Sequence, residues 1–131
     1  MYTYERQCVS GTWTEWRKSD GTVLWENPNP TATTFAAQEI ILSSADYTYL
    51  EFYFKDGTSC ICEKVAKGYD VNAIRLIGMD NSNLLSFRFR AANYINDTTY
   101  SITSGLYKNA TTTSVGQNYD NMLIPLKVIG Y

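Results

Sequence analysis

The sequence predicts an all-β fold: an antiparallel, jelly-roll-like β-sandwich of about eight or nine short strands behind an N-terminal β-hairpin arm. Three observations carry this. Apolar and polar residues alternate with a two-residue period in the longest segments. Turn signals recur at short, regular spacing. No stretch sustains a 3.6-residue apolar period, and the best helical candidate is a single turn at Thr34-Phe-Ala-Ala-Gln38.

The arm comes first. Tyr2-Thr-Tyr-Glu-Arg-Gln-Cys8 and Gly11-Thr-Trp-Thr-Glu-Trp-Arg-Lys18 read as two short strands around a Ser-Gly turn. Tyr2, Tyr4, Trp13 and Trp16 exceed what so small a hairpin can bury, and isolated hairpins are marginal in water. The arm must therefore lean on the body or on a neighbouring chain. A composition shift at Lys18–Gly21 divides the arm, residues 1–18, from the body, residues 19–131.

In the body, Tyr47-Thr-Tyr-Leu-Glu-Phe-Tyr-Phe54 places Thr48, Leu50, Phe52 and Phe54 on one face and Tyr47, Tyr49, Glu51 and Tyr53 on the other. That is the pattern of a half-buried antiparallel strand. Leu84-Leu-Ser-Phe-Arg-Phe-Arg90 reads similarly, with Leu85, Phe87 and Phe89 expected inward and Ser86, Arg88 and Arg90 outward. Near the C-terminus Met122, Ile124, Leu126 and Val128 share a face. Pro125 cannot donate to a ladder, which implies an edge strand or a bulge there. Lys55-Asp-Gly-Thr58 is a tight hairpin signal. Strands are expected near 22–25, 38–43, 47–54, 59–65, 71–77, 84–91, 99–103, 106–112 and 121–129.

Composition bounds the function. The 131-residue chain is long enough for one domain with a real core, and its 44% hydrophobic content is ordinary for a globular protein. No apolar run approaches the roughly 20 residues of a membrane span. The N-terminus has neither the basic start nor the apolar stretch of a signal peptide, so an extracellular role implies exit by a route such as lysis. A net charge of −2 argues against nucleic-acid binding, which needs a basic surface. Cys8, Cys60 and Cys62 cannot all pair internally, and an odd, sparse set reads as reduced, buried thiols.

The chain contains no histidine. The usual general base, triad partner and zinc ligand are thereby missing, although two carboxylates suffice for glycoside cleavage. No Gly-rich phosphate loop and no calcium-loop spacing is present, so no catalytic residue, metal or cofactor is expected. Asp20, Asp56, Asp70 and Asp80 lie in turns and read as caps of backbone N–H groups. Asn96-Asp-Thr98 and Asn109-Ala-Thr111 fit a glycosylation sequon; without a secretory signal they read as chance.

Two clusters are candidate ligand sites. Tyr47, Tyr49 and Tyr53 beside Glu51 could stack on sugar faces while polar groups take the hydroxyls; the alternative is packing against a neighbouring strand or subunit. Arg88 and Arg90, with Arg75, could capture an anionic group; the alternative is cross-strand pairing with Glu39, Glu51 or Glu63.

Motifs at both ends carry a resemblance. Gly11-Thr-Trp-Thr-Glu-Trp-Arg-Lys18 resembles the close of pyocin-knob-like modules in bacteriophage tail fibres. Leu24-Trp25-Glu-Asn27-Pro28-Asn-Pro30-Thr31, Phe35-Ala36-Ala37-Gln38 and Ile124-Pro125-Leu-Lys-Val-Ile-Gly130-Tyr131 resemble a C-terminal domain of tail-associated structural proteins from phages and prophages of Gram-positive gut bacteria. The resemblance implies a virion component made without a signal peptide: a fibre tip or receptor-binding protein. It further implies a homotrimer that joins other tail proteins and attaches to bacterial surface carbohydrate, without inserting in a membrane. No catalytic residue is implied. Trp25, Asn27, Pro28 and Pro30 would organise the start of the fold, and the arm would join fibre modules. A structural tail or capsid-decoration protein without a ligand site, and a polysaccharide-cleaving enzyme, are the competing readings.

Overall fold

The computed structural model describes residues 4–6, 8–13, 17–18, 21–79, 85–109 and 119–131. They form an all-β protein with no helix among the described residues. The turn expected at Thr34–Gln38 is irregular chain leading into a strand.

The arm is a nested hairpin. β1 (Tyr4–Glu5) pairs with β4 (Arg17–Lys18), and β2 (Cys8–Val9) pairs with β3 (Thr12–Trp13), all antiparallel. Ser10 (φ 50°) and Gly11 (φ 80°) both take the left-handed conformation that turns a two-residue hairpin with the strands' own twist. Tyr4 (52%) and Trp13 (58%) stay about half exposed, with the Arg6 guanidinium 4.7 Å from the Trp13 ring. The remaining arm aromatics, Tyr2 and Trp16, lie outside the described residues.

The body is a two-sheet sandwich. The four-stranded sheet runs β5 (Thr22–Glu26), β13 (Ile124–Gly130), β7 (Tyr49–Asp56), β8 (Ser59–Ala66). The five-stranded sheet is built on β10 (Leu85–Asn96), a twelve-residue strand. One side of it pairs with β9 (Val71–Met79). Its other side pairs first with β12 (Leu106–Asn109) and then with β11 (Thr99–Ile102), which carries β6 (Gln38–Ile41). All these pairings are antiparallel. Each strand expected in the body is present, with ends moved by up to five residues; residues 84 and 110–112 of the expected ranges lie outside the described residues.

Alternation sets the core. On β7, Leu50, Phe52, Phe54 and Asp56 are buried, while Tyr49, Glu51, Tyr53 and Lys55 are only partly covered. Phe52 meets Tyr100 of the opposite sheet edge to face, with centroids 5.0 Å apart. Burying each such apolar side chain contributes roughly 1.5–3 kcal/mol. β7 and β8 are joined at Gly57 (φ 62°) and Thr58, with Asp56 paired to Ser59, as the Asp-Gly signal requires.

Of the two expectations for Pro125, the bulge is the one realised. β13 is interior to its sheet, and the register shifts between Pro125 and Lys127, where a missing N–H does no harm. Asn27 fastens the bulge: its Nδ2 donates to Pro125 O at 2.9 Å and its Oδ1 accepts from Asn29 N at 2.9 Å. Trp25 packs edge to face on Phe35 at 6.0 Å.

β10 faces the opposite way from expectation. Ser86, Arg90 and Ala92 are buried, and Arg88 reaches the interior, whereas Phe87 and Phe89 lie on the outer face. There they join the exposed Ile74 and Leu76 of β9 through the pairs Phe89–Ile74 and Phe87–Leu76. Leu85's side chain lies outside the described residues. The three cysteines are free, as expected, but exposed and not buried. On the edge strand β8, Cys60 and Cys62 share the outward phase with Lys64 and Ala66.

Candidate functional site

The outer face of the four-stranded sheet gathers the most side-chain chemistry. Strand alternation places Tyr49, Glu51, Tyr53 and Lys55 of β7 on it, flanked by Cys62 and Lys64 of β8 and by Lys127 and Ile129 of β13. Tyr131 stacks on Tyr49, with centroids 4.8 Å apart and planes 10° from parallel. Tyr131 is held there through the backbone: its N–H donates to Tyr49 O at 3.0 Å and its O accepts from Thr48 Oγ1 at 3.0 Å.

Glu51 is the electrostatic centre of the face. Its Oε2 accepts from the Tyr53 hydroxyl at 2.8 Å and from Cys62 Sγ at 3.2 Å. The Tyr53 hydrogen bond, with smaller help from Cys62, Tyr131 and Lys64, holds the carboxyl below its ordinary range. The same bond raises the Tyr53 phenol, and burial followed by Glu51 pushes Tyr131 up to about 12. Cations cover the rings: Lys64 Nζ lies 4.1 Å from the Tyr49 centroid and Lys127 Nζ 5.0 Å from that of Tyr53.

Beside Tyr53 the face opens into a groove of about 520 Å³ lined by Glu26, Asn27, Pro30, Lys55, Leu126 and Lys127. Lys55 Nζ donates to Pro30 O at 3.1 Å on its wall. A second, more open depression of about 530 Å³ lies over the loop from Asn27 to Gln38, with Asn27 common to both.

Of the residues expected to form a ligand surface, Tyr49 and Tyr53 share this face. Tyr47 does not. It precedes β7, is 2% exposed, and its hydroxyl donates to Asp97 O at 2.6 Å. Burial, then the charge of Asp97, pushes its phenol up to about 12. Tyr47 is a core residue because the chain turns before Tyr49, which breaks the alternation that would have carried it outward.

Arg90 is inside the sandwich, and Arg88 points between the sheets with 30% of its side chain exposed; neither lies on an outer face. Arg88 Nη1 donates to Asp56 Oδ1 at 2.9 Å, and Arg75 Nη1 to Asp56 Oδ2 at 2.7 Å and to Asp56 O at 2.9 Å. Their partner is therefore Asp56, and not Glu39, Glu51 or Glu63. Asp56 itself is 1% exposed and bridges the sheets, in place of the turn-capping role its sequence context suggests. Asp70 does cap, accepting from Tyr94 N at 2.7 Å; Asp20 and Asp80 lie outside the described residues. Arg90 is fully buried. It donates to Thr103 O at 2.8 Å, Met122 O at 3.2 Å, Leu123 O at 3.5 Å, Asp120 Oδ1 at 3.3 Å and Phe35 O. Burial lowers its guanidinium to about 10, against the pull of Asp120.

Sequence reasoning missed Asp56 and Tyr131. A signal for Asp56 was available: it continues the phase of Leu50, Phe52 and Phe54, the inward face. Nothing local announced Tyr131, because its role comes from a non-local stack.

Among the described residues no group of histidine, cysteine and acidic side chains could hold a metal ion. Fold and face together define an all-β two-sheet protein with an aromatic, lysine-flanked outer surface. The chain matches no protein-family model, no curated protein and no solved structure.

Proposed function

We propose that this chain is a noncatalytic attachment module of a bacteriophage tail fibre or receptor-binding tip, and that it meets surface carbohydrate through the outer face of the four-stranded sheet. The observation that carries the reading is the row of tyrosines around Glu51 beside an open groove. Tyrosine rings on a sheet are apolar platforms for sugar faces, reached here by displacing the lysines that lie over them. A homotrimer, built into a tail with other tail proteins, would multiply weak contacts into useful avidity. The aromatic arm, with Tyr4 and Trp13 open to solvent, supports a joint to a preceding module or a neighbouring subunit.

A purely structural virion role is the second reading, and one observation favours it: Tyr53 and Tyr131 already have partners inside the chain. Cleavage of polysaccharide is the weakest reading, since Asp56 is tied to two arginines and Glu51 to two donors. A glycan array decides between the first two. Binding that disappears in Tyr49→Ala and Tyr53→Ala supports attachment, whereas a folded wild-type protein that binds no glycan supports the structural role. Light scattering that finds only a monomer at high concentration, arm included, removes the trimer.

A further inference from the structure

We infer that the sugar polymer this face accepts is an anionic one, carrying carboxylate or phosphodiester groups, and that Lys55 and Lys127 take its charge in the groove beside Tyr53. The inference rests on the attachment reading and adds the ligand's chemical class.

The hydrogen-bonding capacity left open on the face decides the ligand class. A neutral sugar presents hydroxyls that both donate and accept, so its sites combine acceptors with donors. Here one oxygen of the central acceptor is engaged within the face: Glu51 Oε2 holds Tyr53 and Cys62. In the groove beside it two ammoniums, Lys55 and Lys127, which only donate, outnumber the one carboxylate, Glu26. Lys55 spends one N–H on Pro30 O. Lys127 and Lys64 lie over tyrosine rings, contacts that leave their N–H groups free to donate elsewhere. None of the three is ion-paired among the described residues. The face therefore carries three lysines against Glu51 and Glu26, one carboxylate being committed to internal donors.

Geometry directs two of these charges to one place. Lys55 lies two residues beyond Tyr53 on the same face of β7, and Lys127 is the cross-strand partner of Tyr53. Both line the groove, with the Tyr53 ring at its side. A sugar ring against Tyr53 would hold its acidic substituent between the two ammoniums. Glu26, the cross-strand partner of Lys127 on β5, lines the same groove and opposes an anion there. It makes the site selective for ligands that can offer their charge on the Lys55 side.

The test measures binding of the whole chain to polygalacturonate, to poly(glycerol phosphate) and to a panel of neutral glycans including dextran. We expect one of the two polyanions to bind in preference to every neutral glycan, with affinity falling as salt rises. Lys55→Gln and Lys127→Gln should each weaken it about threefold, and Glu26→Gln should strengthen it by a similar factor. The polyanion that binds identifies the substituent as carboxylate or phosphodiester. Neutral glycans bound as tightly as the polyanions, with no change in the lysine variants, would overturn this inference and leave the attachment reading standing. Binding to no glycan of either kind would overturn both.

Discussion

Arg88 Nη1 reaches Asp56 Oδ1 across the sandwich at 2.9 Å, and Arg75 holds the second oxygen of the same carboxylate at 2.7 Å. One acid at the end of β7 thereby ties the four-stranded sheet to both β9 and β10. The carboxylate is 1% exposed, while the arginines keep about a third of their side chains in solvent, at 33% and 30%. Removing the acid leaves two cations facing each other with no compensation. Asp56→Ala should destabilise the protein by about 3 kcal/mol, near the low end for breaking a buried pair because the arginines reach water. Chemical denaturation measures it, and a loss below the level of an ordinary surface substitution would remove Asp56 from the core.

Arg90 organises a second junction. Its guanidinium joins Phe35 in the loop before β6, Thr103 after β11, and Asp120, Met122 and Leu123 before β13. Leu123, fully buried, takes a left-handed backbone conformation (φ 49°) that a leucine disfavours. Arg90→Met would leave several buried carbonyls without donors, at a cost of roughly 3 kcal/mol or more. Arg90→Lys should recover little of it, since one ammonium cannot span the acceptors that the planar fork serves. Thermal unfolding of the two variants tests this: near-complete recovery by lysine would mean that charge, not fork geometry, matters.

Gly130 marks a tight contact between β13 and the core. A Cβ there would lie 2.5 Å from Leu24 Cδ1 and 3.1 Å from Tyr47 Cβ. Overpacking of this kind costs about 1–3 kcal/mol, so Gly130→Ala should lower the unfolding midpoint while leaving the outer face in place.

The tyrosines predict an alkaline limit. Tyr47 titrates ordinarily near 10.0 and is pushed up to about 12 in the fold by burial. A raised phenol favours the folded state fully below pH 10, where neither state is ionised, and the advantage disappears as pH rises toward 12. Tyr131 has the same sign and range. Stability should fall across pH 10–12, followed by far-UV dichroism and tyrosinate absorbance, and Tyr47→Phe should flatten the slope.

Glu51 has the opposite sign. Its carboxyl is lowered from 4.5, so its contribution is present above that pH and lost as pH falls through the folded value. Tyr53→Phe removes the largest cause and should raise the Glu51 pKa toward the ordinary range, read by carbon NMR titration of the carboxyl. An unmoved titration would show that the hydrogen bond does not set it.

How far the sequence foretold all this depends on the range of the forces involved. Strand positions are legible because alternation and turn chemistry are local, and the Asp-Gly hairpin at Asp56–Gly57 is one such signal. The facing of β7 was correct because Leu50, Phe52 and Phe54 are unambiguous. The facing of β10 is not legible, because by pattern apolar Phe87 and Phe89 are the natural core and charged Arg88 and Arg90 the natural surface. What inverts it is a carboxylate supplied from another sheet, and a ring of backbone carbonyls from three loops. No local pattern encodes such partners. The candidate face was half legible for the same reason: Tyr49, Glu51 and Tyr53 follow from one strand, whereas Lys127 and Tyr131 arrive from β13 and the residue beyond it.

The inversion of β10 changes what its neighbours on β9 do for folding. Ile74 and Leu76, at 57% and 65% exposure, keep more than half of their surface in water in the folded chain. They therefore contribute less than half of their full transfer free energy to folding. The conformational stability of this domain is set mainly elsewhere, and the solubility of the folded chain is where these two side chains have their effect.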